Sequence, residues 1–260
     1  MAGARTDVQL PRRNTTWSTT LNRIPWWLVI ILIVGGFVLF SMLSSERYVA
    51  ALTYLLRGVR LTIFLTVASY AIAMVIGLIA GLGRVSHNPI VNTIATLYVE
   101  VVRGVPLLVI IIYAHYVIAP AIGTNRTPEI SGIIALSFGY GAYLAEVFRA
   151  GIESIERGQS EAARSLGLSA PQAMRYVVLP QAVRRVLPPL GNDFIAMLKD
   201  SSLVSAIAIN ELTKLGQIEA SRTFDTFRTY NAVAVLYLIL TLILSLGVRY
   251  LERLSSIGRR

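Results

Sequence analysis

The chain of 260 residues contains no cysteine and only two histidines, His87 and His115. It therefore forms no disulfide framework, offers no thiol nucleophile and builds no thiolate metal site. Two histidines so far apart in sequence do not make a His-rich metal centre, and no metal ligands are assigned. Charge is scarce as well: 15% of residues are charged, against roughly 25% in an average soluble domain. No Gly-x-x-x-x-Gly-Lys-Ser/Thr phosphate loop occurs, so the chain itself is not expected to bind ATP. No nucleophile, base and metal-ligand set clusters in the sequence, which argues against a membrane-bound enzyme, and no catalytic residue is assigned. No convincing internal repeat is present, which argues against an ion- or proton-coupled secondary transporter built on inverted repeats.

Hydrophobic residues fill the space that charge leaves. They make up 55% of the chain, the mean hydropathy is +0.63, and they gather into runs near the ~20 residues that a helix needs to cross a bilayer. The sequence describes an integral membrane protein, not a soluble enzyme, a disordered chain or a secreted scaffold. A net charge of +10 would suggest nucleic acid in a soluble protein. Here it reads as the positive-inside bias of cytoplasmic loops, and no nucleic-acid partner is expected.

Residues 1–25 read as a basic cytoplasmic tail. Trp26-Trp27 mark an interface and open an apolar run to Leu43, just long enough to span; its length and the lack of a small-x-small site argue against a cleaved signal peptide. Further spans are expected at Leu61–Leu82, Ile94–Ile118, Ile130–Ala150, Leu187–Ile209 and Asn231–Val248. The second carries Gly77-x-x-x-Gly81, a pair that lets a neighbouring helix approach. The third is interrupted by Arg103-Gly104-Val105-Pro106, where Pro106 would kink or start a helix beside a moving gate. Residues 210–230 read as mixed-charge and exposed, and residues 251–260 as a second basic tail. With the 151–185 segment inside, arginine and lysine divide roughly two to one in favour of the cytoplasm, giving both termini inside.

Between Gly151 and Arg185 the chain is too polar to cross a membrane yet keeps helical periodicity. Ser160 precedes Glu161-Ala162-Ala163 as a helix start, Gly167 is a left-handed stop, Ser169-Ala170-Pro171 opens a second helix, and Pro180 ends it. Two short helices at a glycine elbow make a knob that another protein could grip. The pattern Glu161-Ala162-Ala163, three residues, Gly167, nine residues, then Val177-x-Leu179-Pro180 resembles the EAA loop of ABC-importer permeases. The likeness extends through Gly141–Glu146, Leu187–Asp193 and Lys199–Leu203, and with Arg103–Pro106 it resembles the polar amino acid permeases of type I importers, the histidine/glutamine/arginine group. It covers residues 50–250; the helix before them is an addition, since many such permeases have five spans.

The resemblance implies an all-α integral membrane protein of about six transmembrane helices, a five-helix core over 49–250 behind an additional helix at 26–48. It places the chain in a bacterial-type plasma membrane, with a second permease subunit, identical or related, an ABC ATPase dimer holding ATP and Mg, and an extracytoplasmic substrate-binding protein. Glu161, Ala162, Ala163 and Gly167 would form the coupling helix that sits in the ATPase. The alanines would permit close approach, Glu161 a charge-assisted bond, and Gly167 the turn angle. Ionisable residues inside spans are functional suspects. Glu100 with Arg103 and Glu146 with Arg149 stand three apart, so each pair can close on one helix face; the glutamates are also pathway candidates. Asp193 and Asp200 share a face two turns apart, beside Lys199, Ser201 and Ser202. The acidic pair would attract an ammonium. Lys199 would meet a carboxylate or neutralise Asp200, and the serines would donate to substrate or bond back into their own helix. Pro180 and Pro188 are structural or gating positions.

Overall fold

The computed structural model describes residues 26–123, 127–155 and 157–256. The basic tail expected over 1–25 and the last four residues of the chain lie outside the described residues. The chain divides into two compact units, 1–49 and 50–260. The described residues of the first hold helix α1 (Trp26–Leu43) and the start of α2 (Glu46–Arg84). The second continues with α3 (Pro89–Gly104), α4 (Leu107–Tyr113), a π-helical turn Ala114–Ile118 and α5 (Ala119–Ala121). It goes on with α6 (Pro128–Glu153), α7 (Arg157–Ser165), α8 (Ala170–Ala173) and a π-helical turn Met174–Val178. Last come α9 (Leu179–Asp200), a 3-10 stretch Ser201–Ile207, α10 (Leu212–Thr223) and α11 (Thr226–Ser256). Among the described residues all regular structure is helical, and the C-terminal tail expected from residue 251 begins as the last turns of α11.

Among the described residues, α2, α6 and α11 are long and apolar enough to cross a membrane, and α3 with α4–α5 makes a fourth span if the bent pair is taken as one. Helix α1, 18 residues long and apolar throughout, matches the expected first span in length. Helix α9 carries Arg184, Arg185, Asp193, Lys199 and Asp200 and is too polar to qualify by hydropathy. The expected single span from Ile94 to Ile118 is broken by a 101° bend. Val105 still donates to the Val102 carbonyl at 3.4 Å, but Pro106 has no N–H to continue the ladder, and the chain turns before α4.

Small residues set the packing around α6. Gly77 and Gly81 of α2 press on it: a Cβ at Gly77 would lie 2.6 Å from Leu144 Cβ, and one at Gly81 2.8 Å from the Ala145 carbonyl oxygen. Such contacts are open to helices in lipid only where a side chain is missing. One core cluster joins Leu65, Ile111, Leu136, Val204 and Ile209. A second joins Ala73, Tyr140, Leu144, Val186 and Met197. Thr62 and Thr66 return their hydroxyls to carbonyls one turn earlier in α2, at 3.1 and 2.7 Å.

Pro180 does not end a helix, as the sequence suggested it would. Pro120 and Pro180 each follow a π-helical turn by two residues, and the residue before each, Ala119 or Leu179, donates five residues back, to Ala114 or Met174. The wider turn moves the carbonyl that a proline ring would strike, so the helix passes through Pro180 and also contains Pro188 and Pro189.

The 210–230 segment is not uniformly exposed either. Glu211 is fully buried and Glu219 nearly so. Glu211 accepts from the backbone N–H groups of Thr213 and Lys214, both at 2.8 Å, and from the Tyr237 hydroxyl at 2.9 Å. Its helix-capping role explains a charge in the interior. Burial pushes its carboxyl above the ordinary carboxylate range, against the lowering effect of those donors. Glu219 is held by Arg222 at 2.8 Å.

Candidate coupling hairpin and translocation site

The polar segment folds as a hairpin that leaves α6 and returns through α9. Helix α7 runs from Arg157 to Ser165, so Ser160 lies inside it and not before it. The helix closes on Gly167 at φ +91°. There Leu166 donates to Ala162 at 3.1 Å, Gly167 to Arg164 at 3.0 Å and Leu168 to Ala163 at 3.2 Å. A left-handed glycine is what such a helix end requires. Ser169 then caps α8, with its N–H bonded to Gln172 Oε1 at 2.8 Å and Pro171 in the first turn. Glu161 and Ala162 face outward, whereas Ala163 is only 5% exposed and packs within the hairpin. Leu166, 86% exposed at the elbow, is the most prominent apolar group of the tip. It sat one place before the predicted glycine stop, and an apolar residue beside an αL glycine is the signal that marks it.

The legs of the hairpin are clamped. A Cβ at Gly151 would lie 2.1 Å from Val186 Cγ1. Ile152, Ile155, Val178 and Ala182 form a small core beneath the elbow, and Arg185 of α9 donates to the Ser154 carbonyl at the end of α6. Gln181 donates to the Val177 carbonyl at 3.0 Å, within the stretch where Pro180 lacks a donor.

Beside these legs lies an ion-pair hub centred on Glu146. Arg84 reaches it at 2.6 Å and Glu100 at 3.4 Å. Arg149 bridges Glu146 and Glu153, and Arg103 stands 3.9 Å from Glu146 and over the Tyr143 ring. The expected Glu146–Arg149 pair forms. Glu100 and Arg103, in contrast, pair across helices, with Arg84 and Glu146, because their helix packs against α2 and α6. Arg84 closes this network, and nothing local in the sequence links it to Glu146.

Asp193 and Asp200 lie in α9, whose inner face meets α6. Tyr140 donates its hydroxyl to Asp200 Oδ2 at 2.7 Å. Tyr70 donates to the Leu190 carbonyl at 2.6 Å and sets its ring edge-on to Phe194, with centroids 5.0 Å apart. Lys199 is exposed, and among the described ion pairs none joins it to Asp200. Ser201 is buried and bonds back to the Leu198 carbonyl at 2.7 Å, while Ser202 is half-buried. Asp200 ends its helix, where the macrodipole disfavours an anion by about 0.3–1 kcal/mol. The Tyr140 hydroxyl offsets that cost. Sequence reasoning missed Tyr70 and Tyr140, although a phenol inside an apolar run must find a partner for its hydroxyl.

A bundle of apolar helices, with a polar hairpin between two of them and a carboxylate–phenol cluster inside, is the architecture of a membrane-embedded transport subunit. Residues 73–256 match the family described as the binding-protein-dependent transport system inner membrane component, and the chain belongs to it. It is 39% identical over 208 residues to the glutamine transport system permease protein GlnP of Escherichia coli K12, covering 80% of this chain and 95% of that one. It is 37% identical over 197 residues to the L-cystine transport system permease protein TcyB of Bacillus subtilis, covering 75% and 84%. Its fold matches a chain from the crystal structure of an amino acid ABC transporter with histidines, with a TM-score of 0.74, 38% identity, and coverage of 82% of this chain and 97% of that one. The fold is that of type I ABC importer permeases.

Proposed function

We propose that the chain is the membrane-spanning permease subunit of an ABC importer for polar amino acids, working by alternating access. The hairpin carries this reading. A lever must transmit force without flexing, and this one has clamped legs, a glycine-fixed elbow and an exposed tip of Glu161, Ala162 and Leu166. A separate ATPase dimer, holding ATP and Mg, would grip that tip. Nucleotide binding there shifts the permease between orientations only if the ATPase has different affinities for the two. A second permease subunit would complete the pathway, an extracytoplasmic binding protein would deliver substrate, and both termini would face the cytoplasm. The extra helix at 26–48 would precede a core over 49–250.

Asp193 and Asp200, with Tyr70 and Tyr140, are the groups assigned to the substrate, since carboxylates among phenols attract an ammonium. Glu100 and Glu146 are assigned to the hub instead, because arginines already occupy them. The amino acid class rests on the relatives and on these acidic groups. An ion-coupled carrier is not favoured, because the matched fold is a chain of an amino acid ABC transporter. The test is reconstitution with the cognate ATPase and binding protein. Amino acid uptake should require ATP, and Glu161→Lys should abolish the substrate-stimulated part of ATP hydrolysis while membrane insertion is normal. Uptake driven by an ion gradient without the ATPase would overturn the reading.

A further inference from the structure

Helix α3 is divided lengthwise into three sectors. Ala95, Val99 and Val102 are buried, with Ala95 against Gly83 of α2 and Val99 packed with Ala80 and Ala145. A second arc holds Thr93, Glu100 and Arg103, all exposed. The third is an exposed apolar stripe of Ile90, Ile94, Leu97 and Val101, at 70, 64, 63 and 56% exposure. At 100° per residue these four fall within about 60° of one another.

The direction of α3 follows from its neighbours. The stretch α4–α5 runs alongside α6: Leu107 touches Gly139, and Ala114 packs in one cluster with Ala135. Helix α3 meets that stretch at 101°, so it lies across α6 nearly at right angles. Its contacts agree. Tyr98 bonds to the Phe138 carbonyl at 2.7 Å, Val99 packs on Ala145, and Arg103 reaches Glu146. These contacts fall on residues 138 to 146 of α6, while Ala95 lies against Gly83, beside Arg84 at the end of α2.

We propose that α3 is an in-plane interfacial helix, which rests its Ile90–Ile94–Leu97–Val101 stripe in the acyl boundary of the leaflet on the hairpin side. The three sectors then have one physical origin: protein on the buried side, water and headgroups at Glu100 and Arg103, hydrocarbon on the stripe. Lipid is the occupant because the chain is an inner membrane component and because α2, which α3 touches at Gly83, is a spanning helix whose exposed side there, Val75, Ile79 and Leu82, is also apolar. The hub ties this helix to both α2 and α6, so the bilayer surface would hold the elbow of the broken span in register with the hairpin.

The absence of native cysteine makes the test direct. Single cysteines at positions 90, 94, 97 and 101, and at 93 and 100 on the polar arc, are spin-labelled in the assembled transporter in phosphatidylethanolamine/phosphatidylglycerol nanodiscs, with cysteine-free partner subunits. Immersion depth is read from relaxation by oxygen and by an aqueous nickel complex. The expected result is one shared shallow depth for the four stripe positions, with positions 93 and 100 open to the nickel complex. A depth that changes by ~16 Å between positions 90 and 101, as a transmembrane course requires at ~1.5 Å per residue, would overturn the proposal. So would exclusion of both relaxants from the stripe, which would mean that another protein subunit covers it.

Discussion

Tyr140 and Asp200 meet across 2.7 Å between two helices, and the pair concentrates the chemistry assigned to the substrate. A hydrogen bond to a charged group contributes about 1.5–3 kcal/mol. Tyr140→Phe is expected to weaken substrate stimulation several-fold while the transporter still assembles, as read from stimulated ATP hydrolysis against substrate concentration. Asp200→Asn keeps the shape and removes the charge, so the half-maximal substrate concentration should rise about tenfold or more. An unaltered uptake curve would move the site elsewhere. The aspartates and Lys199 were visible in the sequence because charge stands out in an apolar run. Their partners were not. A tyrosine reads equally as core or as an interface residue, and only the crossing of α6 and α9 brings its hydroxyl to a carboxylate. Arg84 was hidden for the same reason, since its partners lie 16 and 62 residues away.

The hairpin depends on a glycine contact that no motif records. A Cβ at Gly151 would overlap Val186, and overpacking of this kind typically costs about 1–3 kcal/mol. Gly151→Ala should lower the thermal stability of the detergent-solubilised protein and loosen coupling, and Val186→Ala should restore both; failure of the second change to rescue would show that the legs are not clamped there. The elbow and the capped start of α8 were legible, since Gly167, Ser169 and Pro171 have local conformational demands. The course of α9 was not. Pro180 read as a stop because proline removes a donor and strikes the preceding turn, but a π-helical turn before it gives the ring room. The same device precedes Pro120. The broken third span was half legible: Pro106 announced a break, but no local signal told that it opens to 101°.

Across the whole molecule, the apolar runs told that the chain lives in a membrane, and the Glu161–Gly167 pattern with its flanks told the family. The number of spans was harder to read, because a hydrophobic run does not show the direction of its helix and because α9 holds too much charge for hydropathy to count it. Sidedness remains a matter of arginine distribution, and it makes a prediction: a cysteine replacing Ser165, exposed on α7, should react with an impermeant maleimide only in inverted vesicles. Labelling in intact cells would reverse the topology. The account as a whole depends on who holds the hairpin tip. A photoreactive benzoylphenylalanine placed at Leu166 tests this most directly, in a transporter assembled with its ATPase and binding protein. The prediction is a crosslink to the ATPase subunit whose yield changes when ATP is added; a tip that captures no ATPase while the same variant still transports normally would contradict it.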